Sequence, residues 1–134
     1  MVSVSRYVYL VLAWAFVAGV VVQVFFIGLG LFAGSENIEL HVTLGWILHL
    51  APLLILIAAA LARAGRRRIL EAAGLAAVVF AVPILATLRD SAPVAAALHP
   101  VGAIFAFWLA IVVARGATSL RTMDEAPLVE PALT

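Results

Sequence analysis

An all-α membrane protein, built as a four-transmembrane-helix up-and-down bundle with both termini cytoplasmic, is predicted by three observations. Apolar residues make up 66% of the chain and the mean hydropathy is +1.23, whereas globular chains are roughly half apolar. Charged residues are only 11% of the total, and they cluster between the apolar runs, as expected when the bilayer is the solvent. Four of those runs reach the length of about 20 residues that carries a helix across roughly 30 Å of hydrocarbon.

The first span, 7–32, is longer than the apolar stretch of roughly 7 to 15 residues in a cleavable signal peptide and is followed by further spans, so it is read as retained. Ala33-Gly34-Ser35-Glu36-Asn37 then supplies a glycine exit and a polar, acidic loop. The second span, 38–62, ends at Arg63-Ala64-Gly65-Arg66-Arg67-Arg68. The four arginines of this turn assign it to the cytoplasm. The third span, 69–88, emerges at Arg89-Asp90-Ser91, and the fourth covers about 94–114. Pro100 either kinks this last span or marks its first turn. Alternation places the amino terminus, Arg115 and Arg121 inside, and Glu36, Glu39 and Arg89 outside. Residues 1–117 thus form the transmembrane domain. Residues 118–134, with acids, two prolines and no apolar periodicity, are expected to be a disordered cytoplasmic tail. A multi-pass location in the cell inner (plasma) membrane is expected.

Several chemistries are excluded. With no cysteine there are no disulfides, thiolate metal sites or covalent haem links. All eight basic residues are arginine, so no lysine can carry a Schiff-base chromophore. A net charge of +1 gives no footprint for nucleic acid. No span is visibly broken at midplane, which argues against a transporter.

Polar side chains inside a membrane are costly and are therefore candidate functional groups. Here they are Gln23, His41, His49 and His99, with Arg89 at the outer boundary. His41 and His99 lie at matched depth toward the outer leaflet, on the second and fourth spans. Those helices are diagonal neighbours in an up-and-down bundle, separated by more than the 8 to 10 Å of adjacent pairs. The gap suits a flat macrocycle with an imidazole on each face, so His41 and His99 are the candidate iron ligands.

Gly45 lies between His41 and His49 at four-residue intervals, and Gly102 stands beside His99, opening shallow grooves. The same small residues also serve close helix packing with no ligand at all. His49 is about 12 Å deeper than His41. It either bridges to Gln23 as a structural pair or acts as an alternative ligand or proton-coupled group. Arg89 can snorkel and pair with Asp90 or a haem propionate, or simply end its helix. A bare zinc or copper ion suits the histidines less, since no carboxylate or thiolate stands at ligand spacing.

The run from Gln23 to Phe32 (QVFFIGLGLF), His41-Val42-Thr43-Leu44-Gly45 and Leu98-His99-Pro100-Val101 resemble the marks of a small, largely uncharacterised family of bacterial four-span proteins, over 23–114. That resemblance implies a topology rather than an activity. The His41/Gly45 arrangement and the His99-Pro100 pair are more remotely similar to b-type membrane cytochromes of the b561-like group. Such proteins commonly hold two haems on four histidines, so the resemblance implies one haem at most here. The expected function is noncovalent haem b binding for one-electron transfer, with a redox partner or quinol. The alternative is a noncatalytic subunit of a membrane complex or homo-oligomer, its histidines serving as interhelical glue.

Overall fold

In the computed structural model, which describes residues 2–125, four long helices carry the chain back and forth. They are α1 (Val2–Phe32), α2 (Ile38–Leu61), α3 (Arg66–Thr87) and α5 (Leu98–Glu125), with the single turn α4 (Pro93–Ala96) before the last. All four are long and apolar enough to cross a membrane. No strand occurs among the described residues. Each of α1 and α3 packs on both α2 and α5, so α2 and α5 face each other across a diagonal of the square. An even number of antiparallel spans returns both described ends to the same side.

Connections between the spans are short. A 3₁₀ turn, Ser35–Asn37, joins α1 to α2. The turn from α2 to α3 needs two left-handed residues, Arg63 at φ 51° and Gly65 at φ 85°. This tight reversal buries Ala64 against the bundle. Pro52 and Pro83 lie inside α2 and α3, each removing one backbone donor from its helix.

The packed core occupies only one half of the bundle, the half holding the Arg63–Arg68 turn. Tyr9, Ala13 and Phe16 of α1 meet Ile55, Ala58 and Ala59 of α2, Ala72 and Leu75 of α3, and Ala110, Val113 and Ala114 of α5. Alanine dominates because membrane helices gain little from hydrophobic burial against one another and gain more from close backbone approach. Beyond Val17, Pro52, Val79 and Ala106, toward the other end, Gly30 is the one buried residue among those described. The half away from the Arg63–Arg68 turn is therefore much more loosely filled.

The last helix corrects the expected tail. Thr118 to Glu125 continue α5 rather than beginning a disordered segment. Ala117 and Leu120 are buried in the core, and Trp14 Nε1 donates to Thr118 Oγ1 at 3.0 Å. Packing against α1 thus holds this stretch helical although its composition is polar. The remainder of the expected tail lies outside the described residues.

Candidate functional site

The loosely packed half contains Gln23 and all three histidines. His41 and His99 meet across the diagonal, with ring centroids 6.5 Å apart and planes inclined at 76°. Both are partly buried. Each is anchored to the neighbouring helix of its own hairpin. His41 Nδ1 lies 3.1 Å from the Gln23 carbonyl oxygen of α1, and His99 Nδ1 lies 3.0 Å from the Val82 carbonyl oxygen of α3. A carbonyl can only accept, so both imidazoles carry their proton on Nδ1 when neutral, leaving Nε2 with its lone pair. Ligating histidines are characteristically held in this way, with one ring nitrogen fixed by a carbonyl and the other available to a metal.

The two hairpins repeat this construction. In α1–α2, Gly45 stands one turn below His41, and a Cβ there would lie 2.9 Å from Gln23 Nε2. In α3–α5, Gly102 stands one turn below His99, and a Cβ there would lie 2.8 Å from Val82 Cγ2. Histidine, glycine and a partner-helix carbonyl therefore recur in both halves, as in parallel repeats related by an axis along the membrane normal. The sequence shows no such repeat, because the carbonyl acceptors belong to unlike residues, Gln23 and Val82.

His49 and Gln23 do not form the expected bridge. Gly30 abuts Ile38, Gln23 abuts Gly45, and Gly19 abuts Leu48, so Gln23 is level with Gly45 and His49 lies about one turn deeper. His49 Nδ1 instead donates to the Gly45 carbonyl at 3.0 Å. Its ring packs between Trp46 and Phe80, with centroids 5.6 Å and 5.4 Å away. Gln23 Oε1 is buried without a hydrogen-bond donor. Arg89 stands on the exposed loop after α3, 3.6 Å from the Asp90 carboxylate.

The donor set separates two kinds of occupant. Among the described residues no group of three or more His, Cys, Asp or Glu side chains is arranged to hold a metal ion. A bare ion would find only two imidazoles here. An iron macrocycle brings four donors of its own and asks the protein for one or two. The two rings stand 6.5 Å apart in an edge-on contact, and their Nε2 lone pairs are the donors that would be offered to such a group.

Residues 23–88 match a family of unknown function, DUF6220. The DUF6220 segment runs from Gln23 through α2 and α3, so it takes in His41, Gly45, His49 and Val82 but stops before His99. No curated protein and no solved structure matches the chain. The match agrees with the resemblance to an uncharacterised family, and no likeness to b561-like cytochromes accompanies it.

Proposed function

We propose that the chain is a membrane b-type haem-binding protein serving one-electron transfer, in which His41 of α2 and His99 of α5 would hold the haem iron. The observation that carries this reading is the facing of two imidazoles, each fixed through Nδ1–H to a helix carbonyl. Iron bound between them would supply reversible one-electron chemistry, its potential tuned by ligation, burial and nearby hydrogen bonds. The chain's own contribution is to orient. The Gln23 and Val82 carbonyls hold each ring in its Nδ1–H tautomer and fix its orientation. Gly45 and Gly102 let the helices of each hairpin close together, which sets the height of both rings. Gln23 Oε1 offers an unused acceptor on the same level, and Arg89 supplies a cation at the outer rim. Electron exchange then needs a redox partner or quinol, at the outer face of an inner membrane if the arginine turn is cytoplasmic.

One observation favours a second reading, a noncatalytic subunit of a larger complex or homo-oligomer. The space opened by Gly45 and Gly102 is already taken by Gln23 and Val82, as in helix packing without a ligand. Reduced-minus-oxidised spectra of protein purified from haem-replete cells separate the two. The haem reading expects a Soret and an alpha band that are lost in His41→Ala and His99→Ala and kept in His49→Ala. A colourless preparation, or bands indifferent to the first two substitutions, rejects it.

A further inference from the structure

The opposite end of the bundle carries a polar concavity, remote from the histidines. It has a volume of about 450 Å³ and is lined by Ala64, Gly65, Arg66, Arg67, Arg68 and Ser119. Three consecutive arginines thus line one opening between the α2–α3 turn and α5, fanned around the first turn of α3 rather than aimed at one point. Their counter-charge is small. Arg67 Nε pairs with Glu71 Oε1 at 2.9 Å, while Arg68 Nη1 donates to the Ala64 carbonyl at 3.3 Å. Arg66 has no hydrogen bond or ion pair among the described residues.

Backbone geometry adds to the positive potential. Gly65 occupies the cap position of α3 and, having no side chain, makes no cap hydrogen bond. The first N–H groups of α3 and the positive end of its dipole lie at this end of the helix. Gly116 lacks a Cβ where the Arg68 side chain crosses α5, so the guanidinium stem can lie against that helix. Ser119 contributes a hydroxyl at the rim. Forked guanidinium donors, exposed N–H groups and a hydroxyl match the oxygens of a phosphate better than a single carboxylate.

We infer that this concavity binds a phosphate group, and that the source is the headgroup of an anionic phospholipid in the leaflet that meets the Arg63–Arg68 turn. Position decides for lipid over a soluble ion. The site opens at the end of α3 where the apolar run begins at Ile69, the level at which headgroup phosphates sit, and basic pockets between transmembrane helices recognise such headgroups. This inference is independent of the haem reading.

Native mass spectrometry of the full chain in detergent tests it, with phosphatidylglycerol and phosphatidylcholine of identical acyl chains offered in turn. The wild type is expected to retain phosphatidylglycerol preferentially. In R66Q/R67Q that preference should fall about thirtyfold, two charges at the surface value for each basic residue. R115Q, at the same end but outside the concavity, should keep it, and circular dichroism should report unchanged helix content in all three. Equal retention of the two lipids by the wild type, or the same loss in R115Q, overturns the site. Binding of inorganic phosphate without retention of phosphatidylglycerol overturns the lipid source.

Discussion

At the scale of single residues, the decisive groups are paired across the two hairpins but are not equivalent in what they touch. Gly45 faces the far end of a flexible glutamine side chain, whereas Gly102 faces a γ-methyl of β-branched Val82, whose rotamer is stiff within a helix. Replacing either glycine by alanine gains up to about 1 kcal/mol of helix propensity. For Gly45→Ala little opposes that gain, because the Gln23 amide can swing aside. For Gly102→Ala the Val82 methyl must be displaced, an overpacking cost of roughly 1 to 3 kcal/mol. Gly102→Ala is therefore expected to unfold more readily than Gly45→Ala by about 1 to 3 kcal/mol, read from unfolding midpoints in the same detergent. The reverse order would mean that α3 and α5 are less closely apposed than their backbones indicate. The histidines themselves were legible as residues, since ionisable groups in an apolar span stand out. Their carbonyl partners were not, because any residue type can present a backbone oxygen.

At the scale of elements, the spans were legible from hydropathy and the levels between them were not. The 33–37 loop fixes how far α2 is shifted against α1, and a short 3₁₀ turn leaves no periodic signal. Counting inward from the ends of the spans paired Gln23 with His49, while the packed register sets Gln23 against Gly45. The extension of α5 to Glu125 escaped for a related reason: hydropathy ends where the lipid ends, but Ala117 and Leu120 still bury against the bundle. The tightest element is the α2–α3 turn. Gly65, at φ 85° and ψ 156°, occupies backbone space essentially closed to other residues, so Gly65→Ala is expected to cost about 1 to 3 kcal/mol. Arg63, at φ 51°, is an L-residue in the left-handed region, and Arg63→Gly should be neutral or stabilising by up to about 1 kcal/mol. Thermal unfolding of the two variants beside the wild type checks both. Equal losses in the two would show that the turn's side chains, not its backbone, hold the reversal.

At the scale of the whole molecule, charge and packing divide the bundle along the same line. Seven of the eight arginines, all but Arg89, belong to the half that contains the alanine-rich core. The other half holds the histidines and is loosely filled. The dense end holds the four helix axes together, while at the other end α2 and α5 meet through the His41 and His99 rings. Arginine excess on one side also sets the direction of insertion, since translocating Lys and Arg is disfavoured near the ends of spans. Both termini and the Arg63–Arg68 turn are accordingly expected in the cytoplasm. A fluorescent protein fused to the carboxyl terminus should fluoresce there, and alkaline phosphatase at the same point should be inactive but active when inserted after Asp90. Exchanging Arg63, Arg66, Arg67 and Arg68 for glutamine removes four of the seven orienting charges, leaving Arg6, Arg115 and Arg121 to oppose Arg89. The residual bias is small, so this variant should give a mixed population, with phosphatase activity appearing at the carboxyl terminus. Active phosphatase at the carboxyl terminus of the wild type would invert the molecule and move the histidine pair to the cytoplasmic side.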